Sequence, residues 1–153
     1  MNNLPPPLAR LSWEHHGALT VASRILQGLE RGADPAEVAA YTRHIWQRWM
    51  LNHNRMEERL LEACVGATAI DPRMTRRLFS EHQEMELLGA RLADRSDRLP
   101  AILGEFAGTL RNHIRFEEQE LFPAMRAHLP PTATTEEGDH EAPEIDWAVP
   151  FWE

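Results

Sequence analysis

The sequence predicts an all-α protein: an up-down-up-down antiparallel four-helix bundle over residues 12–129, preceded by a lead-in over 1–11 and followed by a C-terminal tail over 130–153. Three observations predict it. Apolar residues recur at spacings of three and four without sustained two-residue alternation; proline, glycine and aspartate punctuation falls at four places; and the connections between periodic stretches are a few residues long, which forces neighbouring helices to run antiparallel. A chain of 153 residues with 42% hydrophobic content is enough for one core and one domain.

Pro5, Pro6 and Pro7 lack amide hydrogens, so residues 1–11 are expected to stay out of the first helix, with Ser12 as its cap. Leu19, Ala22, Ile25, Leu26 and Leu29 form one helical stripe that Gly32 stops. Asp34, Pro35 and Glu37 supply a side-chain cap, a first-turn proline and a first-turn acid for a second helix, which meets no breaker before Gly66. Asp71 and Pro72 repeat that signal, predicting a third helix to about Arg95. Pro100 opens a fourth, which ends before Pro130 and Pro131. The tail is rich in Pro, Thr and Glu until Trp147, Phe151 and Trp152. Burying an aromatic of this size is worth about 1.5–3 kcal/mol, so these three are expected to dock on the bundle or on a protein partner. Docked at the open end of the bundle, they would form a lid over a site inside it.

Composition excludes several function classes. A single cysteine, Cys64, rules out an internal disulfide framework, and no stretch approaches the roughly 20 apolar residues needed to cross a bilayer; a cytoplasmic protein without a membrane role is expected. Net charge is −8, from 24 acids against 16 bases, and no basic run is present, so nucleic acid is not an expected partner. Histidine is the unusual item. There are eight, and four of them, in segments patterned as amphipathic helices, stand beside a glutamate or four residues before one.

His53-Asn-Arg-Met-Glu57-Glu58 in the second helix matches His113-Ile-Arg-Phe-Glu117-Glu118 in the fourth. Four residues turn a helix by about 400°, so each histidine and glutamate face the same way one turn apart. The first and third helices carry Glu14-His15 and Glu81-His82, and Glu86 follows His82 by four residues. His15 lies about 16 residues before the first loop and His53 about 19 after it, roughly 24 and 28 Å at 1.5 Å per residue. Counting from the other loops puts His82 and His113 at the same level. Burying such groups unpaired costs several kcal/mol, whereas a metal satisfies neutral imidazole and carboxylate together. The predicted ligands are His15, His53, Glu57, His82, Glu86, His113 and Glu117. His16 competes with His15, but a neighbour is rotated by about 100°, and the parallel with Glu81-His82 favours His15. Four imidazoles with two or three carboxylates exceed the needs of one tetrahedral zinc; mixed nitrogen and oxygen donors with bridging carboxylates suit a pair of irons, with manganese or zinc as alternatives.

The order His, His-x-x-x-Glu, His, His-x-x-x-Glu, with Leu121-Phe122-Pro123 after the last motif, resembles the hemerythrin or HHE cation-binding domain over about residues 8 to 129. The resemblance implies two non-heme irons, with an oxo bridge as one form of the centre. It implies that Glu57 and Glu117 bridge the ions, His15 and His53 bind one, and His82 and His113 bind the other. It also implies an open position for dioxygen, nitric oxide or peroxide. Oxygen-carrying members have a histidine where this chain has Glu86; an anionic oxygen donor there would stabilise the oxidised metal and favour sensing or redox turnover over reversible oxygen carriage. A di-iron peroxidase or oxidase and an iron-buffering or storage protein are the alternatives.

Glu58 and Glu118 are expected to point aside, as surface groups or as partners of the ligands, and His44, His128 and His140 to lie at the surface. Trp46, Trp49, Met50, Met56, Phe79, Met85, Phe106 and Phe116 read as core packing, and Cys64 as buried filler.

Overall fold

A computed structural model describes residues 4–64, 70–129 and 144–153. Among the described residues there are four long helices and no strand, and no helix is long and apolar enough to cross a membrane. Helix α1 is Pro6–Glu30. Helix α2 runs through Pro35–Ile45, a π-helical turn Trp46–Met50, and Leu51–Cys64. Helix α3 is Pro72–Arg91. Helix α4 runs through Leu99–Phe116, a second π turn Glu117–Leu121, and Phe122–Arg126. Gly66, Pro130, Pro131 and His140 lie outside the described residues.

The punctuation acts as its chemistry dictates at most boundaries. The Asp34 and Asp71 carboxylates accept hydrogen bonds from the Ala36 and Arg73 amides at 3.0 and 2.9 Å, each with a proline at the next position. Gly32 leaves α1 at φ +75°, a conformation that side-chain-bearing residues rarely adopt. Helix α3 ends at Arg91 rather than near Arg95, in a tight turn where the Leu92 amide bonds the Gly89 carbonyl at 3.3 Å.

The start of α1 departs from expectation. Pro6 and Pro7 sit inside its first turn, where amide hydrogens have no intrahelical acceptor and their absence is harmless. Ser12 therefore caps nothing; it lies buried in the helix, its hydroxyl donating to Glu118 at 2.7 Å. The buried stripe of α1 is correspondingly longer and passes through Leu8, Leu11, His15, Ala18, Ala22 and Ile25, whereas Leu19 is exposed. Phe79, on α3, is likewise exposed rather than packed in the core.

Two π turns interrupt the long helices. The Leu51 amide reaches back to the Trp46 carbonyl and the Phe122 amide to the Glu117 carbonyl, each five residues away. Such turns widen the helix and recur at functional sites. The second precedes Pro123, which lacks an amide hydrogen and would crowd the carbonyl one turn back in a regular α-helix. The first ends three residues before His53, and the second begins at Glu117.

The apolar core is divided in two. One cluster includes Ile25, Tyr41, Trp46, Met85, Phe106 and Leu110; the other includes Leu11, Leu61, Cys64, Leu78, Phe116 and Phe122. Between them lies a buried polar layer containing His15, His53, Glu57, His82, His113 and Glu117.

The tail packs on the first cluster, against α1 and α2 near the loop that joins them. Tyr41 donates to the Ile145 carbonyl at 2.9 Å, Arg24 donates to it at 2.7 Å, and the Arg24 guanidinium lies 4.1 Å from the centre of the Trp152 ring. Trp147 Nε1 donates to Glu37 at 2.6 Å, and Trp147, Phe151 and Trp152 all pack around Tyr41 with ring centres 5.3 to 5.7 Å away. This answers the docking expectation in favour of the bundle and removes the lid. Arg24 is nine residues beyond His15 and Tyr41 twelve before His53, about 14 and 18 Å along the helices, so the tail covers a structural end and not the polar layer.

Two outcomes follow from this packing. Deleting residues 144–153 should lower unfolding stability by about 2–4 kcal/mol in denaturant titration while leaving helical circular dichroism intact. A Cβ at Gly28 would fall 2.6 Å from the Phe151 ring, so Gly28→Ala should displace the tail and red-shift tryptophan emission, although alanine favours the helix by roughly 1 kcal/mol.

Candidate metal centre

Each of the four helices delivers one histidine to the polar layer, and α2 and α4 also deliver one glutamate each. The four-residue spacing holds: His53 Nε2 lies 3.2 Å from Glu57 Oε2, and His113 Nε2 lies 2.5 Å from Glu117 Oε1. Glu57, 1% exposed, divides its two oxygens between two histidine pairs. Its Oε2 faces His15 and His53 Nε2 at 3.4 and 3.2 Å, and its Oε1 faces His82 and His113 Nε2 at 3.1 and 3.8 Å. Glu117 Oε1 also stands 3.6 Å from His15 Nε2.

Two donor groups result, sharing Glu57. His15, His53 and Glu57 form one; Glu57, His82, His113 and Glu117 form the other, with the donor atoms of each group within 4.8 Å of one another. Every member is buried. Apart from these charge contacts, His15 Nε2, Glu57 Oε2 and both Glu117 oxygens make no aligned hydrogen bond, so buried donor electron pairs remain open toward the interior. Cations placed among these atoms would take up those electron pairs in place of protons, so the residues fit a metal pair.

His16 is exposed, and His15 alone turns inward from α1. Glu86 is exposed and outside both groups. The buried stripe of α3 steps through Leu78, His82, Met85, Gly89 and Leu92, so the inward position one turn after His82 belongs to Met85, three residues on. Glu86 is rotated past it. Glu86 therefore supplies no anionic donor that would bias a bound metal toward oxidation.

Glu58 and Glu118, expected as surface groups or as partners of the ligands, are partners, and Glu14 and Glu81 join them in a role not expected from the sequence. Glu118 Oε1 accepts from His15 Nδ1 at 2.7 Å, Glu14 Oε2 from His53 Nδ1 at 2.6 Å, Glu58 Oε1 from His82 Nδ1 at 3.2 Å, and Glu81 Oε1 from His113 Nδ1 at 2.9 Å. The signal was in the sequence: Arg10-x-x-x-Glu14-His15 recurs as Arg77-x-x-x-Glu81-His82, and each arginine bonds its glutamate, at 3.0 and 3.1 Å. His44, half-buried, packs beside Trp147, and His128 is half-buried near the end of α4.

The charge pattern follows from this enclosure. Burial pulls the His53 ring toward neutrality, but the Glu57 charge and the Glu14 hydrogen bond outweigh it and lift its pKa from 6.5 to about 9. Burial acts the same way on His15 and His113, and the surrounding carboxylates raise both well above the ordinary histidine value. Burial favours a neutral Glu57, yet the imidazolium charge of His53 leads the attractions that hold it well below the usual carboxylate range. In the absence of metal, protons therefore do the neutralising.

A small cavity adjoins the layer on the side of the first apolar cluster. Its volume is about 10 Å³, close to the room one water needs, and its walls include His15, His53, Trp46, Trp49, Met50 and Met85. Trp49 Nε1 is buried without a partner.

No family model, no curated protein and no solved structure matches this chain. The functional reading therefore rests on the residues and their geometry.

The raised histidine pKa predicts a direction for metal-free protein. A charged His53 adds stability that is fully present below about pH 6.5 and is lost as pH rises through about 9, on the order of 3 kcal/mol from this residue. Urea midpoints of chelator-treated protein should fall across that window, and uptake of a divalent metal at pH 7 should release protons measurable by a pH indicator.

Proposed function

We propose that this chain is a hemerythrin-like protein, an up-down-up-down antiparallel bundle that holds two non-heme irons and binds, senses or processes dioxygen, nitric oxide or peroxide at them. The observation that carries the reading is Glu57: a buried carboxylate whose two oxygens address two separate histidine pairs, beside three further buried donor atoms without partners on His15 and Glu117. His15 and His53 would hold one ion, His82 and His113 the other, with Glu57 and Glu117 between them. Nitrogen and oxygen donors without thiolate suit iron, and sharing one carboxylate between two donor groups is how carboxylate-bridged bundles hold a metal pair. When bound, such a pair supplies one-electron chemistry and a coordination position for a small molecule.

The chain's own residues limit what reaches it. The cavity beside His15 and His53 admits about one small molecule, and its walls of Trp46, Trp49, Met50 and Met85 exclude bulk water. The unpaired Trp49 Nε1 offers a hydrogen-bond donor there. Room on the scale of one water molecule favours the smallest ligands over sugars, peptides and nucleotides. The burial of all six ligands favours a resident cofactor over an iron buffer, because release would require the helices to part. A sensing role would pass through a protein partner or an assembly of copies.

Protein reconstituted with ferrous ion and then oxidised should contain about two irons per chain by elemental analysis and show a near-ultraviolet ferric absorption that dithionite bleaches. Glu57→Ala and Glu117→Ala should each lose metal and lower the melting temperature together, since metal binding energy is folding energy. One zinc per chain at full occupancy, with no uptake of iron, would sink the di-iron reading.

A further inference from the structure

We propose that Glu14, Glu58, Glu81 and Glu118 are positioning residues that form a closed outer ring and orient the two donor groups separately, Glu14 and Glu118 acting on His15 and His53, Glu58 and Glu81 on His82 and His113. The proposal rests on the two-metal reading above and deepens it.

The ring is visible in the order of its contacts. Glu14 on α1 accepts from His53 on α2, Glu58 on α2 from His82 on α3, Glu81 on α3 from His113 on α4, and Glu118 on α4 from His15 on α1. Every helix gives one acid to the next and receives one from the last. A geometric rule explains the single direction. Glu14 and Glu81 precede an inward histidine by one residue, and Glu58 and Glu118 follow an inward glutamate by one. One residue is about 100° around a helix. Viewed from one end of the bundle, a step backward on an ascending helix and a step forward on a descending one rotate the same way. All four acids therefore reach the same way around the bundle, a result that requires alternating helix directions.

Three of the acids are themselves held. Arg10 bonds Glu14 at 3.0 Å, Arg77 bonds Glu81 at 3.1 Å, and the Ser12 hydroxyl donates to Glu118 at 2.7 Å. A carboxylate can only accept, so each bond keeps a proton on Nδ1 and presents Nε2 to the interior, the atom that faces Glu57 in all four histidines. The ring thus selects the tautomer and the ring plane of every histidine donor. Removing such an outer partner typically weakens metal binding by about 10- to 100-fold.

The division between donor groups gives a test that a merely structural role would not pass. Full-length protein is titrated with ferrous ion under exclusion of dioxygen, and the wild type takes up two ions. The pair Glu14→Gln with Glu118→Gln should weaken one ion by about 10- to 100-fold and leave the other within about threefold; Glu58→Gln with Glu81→Gln should do the reverse. Glu86→Gln, on the exposed side of α3, should match the wild type. Circular dichroism reports folding of each variant. Where a pair variant does not fold, proton NMR of the single variants decides: four slowly exchanging imidazole Nδ1 protons are expected in metal-free wild type, and each single glutamine should shift its own partner's proton alone. Equal weakening of both ions by both pairs, wild-type affinity in both pairs, or absence of the four protected protons overturns the ring. A wild type that binds fewer than two ions overturns the two-metal reading and takes the assignment to groups with it, whereas a two-ion wild type with undivided losses overturns the assignment alone.

Discussion

The carboxylate of Glu57 is the constraint on which the rest of this molecule depends. A fully enclosed anion needs partners, and here the groups that face it come from all four helices: His15 from α1, His53 from its own helix, His82 from α3 and His113 from α4. Those contacts fix the axial level of every helix relative to the others, because a slip of one residue in any of them would move a ring about 1.5 Å along the axis and 100° around it. Packing alone would not be so strict. Apolar side chains tolerate exchange and small shifts, whereas a buried charge that loses its partner costs about 3–5 kcal/mol.

The same layer separates two jobs. Above it, the cluster around Tyr41, Trp46 and Phe106 is completed by the C-terminal residues Trp147, Phe151 and Trp152; below it, Leu11, Leu61, Leu78 and Phe122 close the other end. Stability is thus drawn from apolar burial at both ends, which leaves the middle free to carry polar groups that a core would otherwise reject. Phe122 joins the two roles, lying parallel to the His15 ring with centres 5.4 Å apart. The π turns at Trp46–Met50 and Glu117–Leu121 fall where each long helix passes from apolar packing to the polar layer, and both adjust which residues of that helix face inward.

Protonation and metal are alternative solutions to one electrostatic problem. Without metal, His15, His53 and His113 hold protons more tightly than free histidine does, and Glu57 holds its own less tightly. Any cation that enters must displace those protons. The outer glutamates keep the Nδ1 side of each ring occupied throughout, so the exchange is confined to the Nε2 atoms that face the interior.

The sequence by itself determined the helical class, the capping of α2 and α3 by Asp34 and Asp71, and the common depth of His15, His53, His82 and His113, because these follow from the fixed rise and turn of an α-helix and from local hydrogen bonding. It also made His15 preferable to His16. Only the tertiary structure decided the rest. Glu86 obeyed the four-residue rule and still faces outward, since the inward stripe of α3 is set by its neighbours and gives the next position to Met85. Ser12 looked like a cap and became a buried partner of Glu118, because two prolines proved acceptable in a first turn. Which acid meets which histidine was not readable along the chain, for each of those bonds joins one helix to another, and the direction of a side chain rotated by 100° has meaning only once its neighbouring helix is in place.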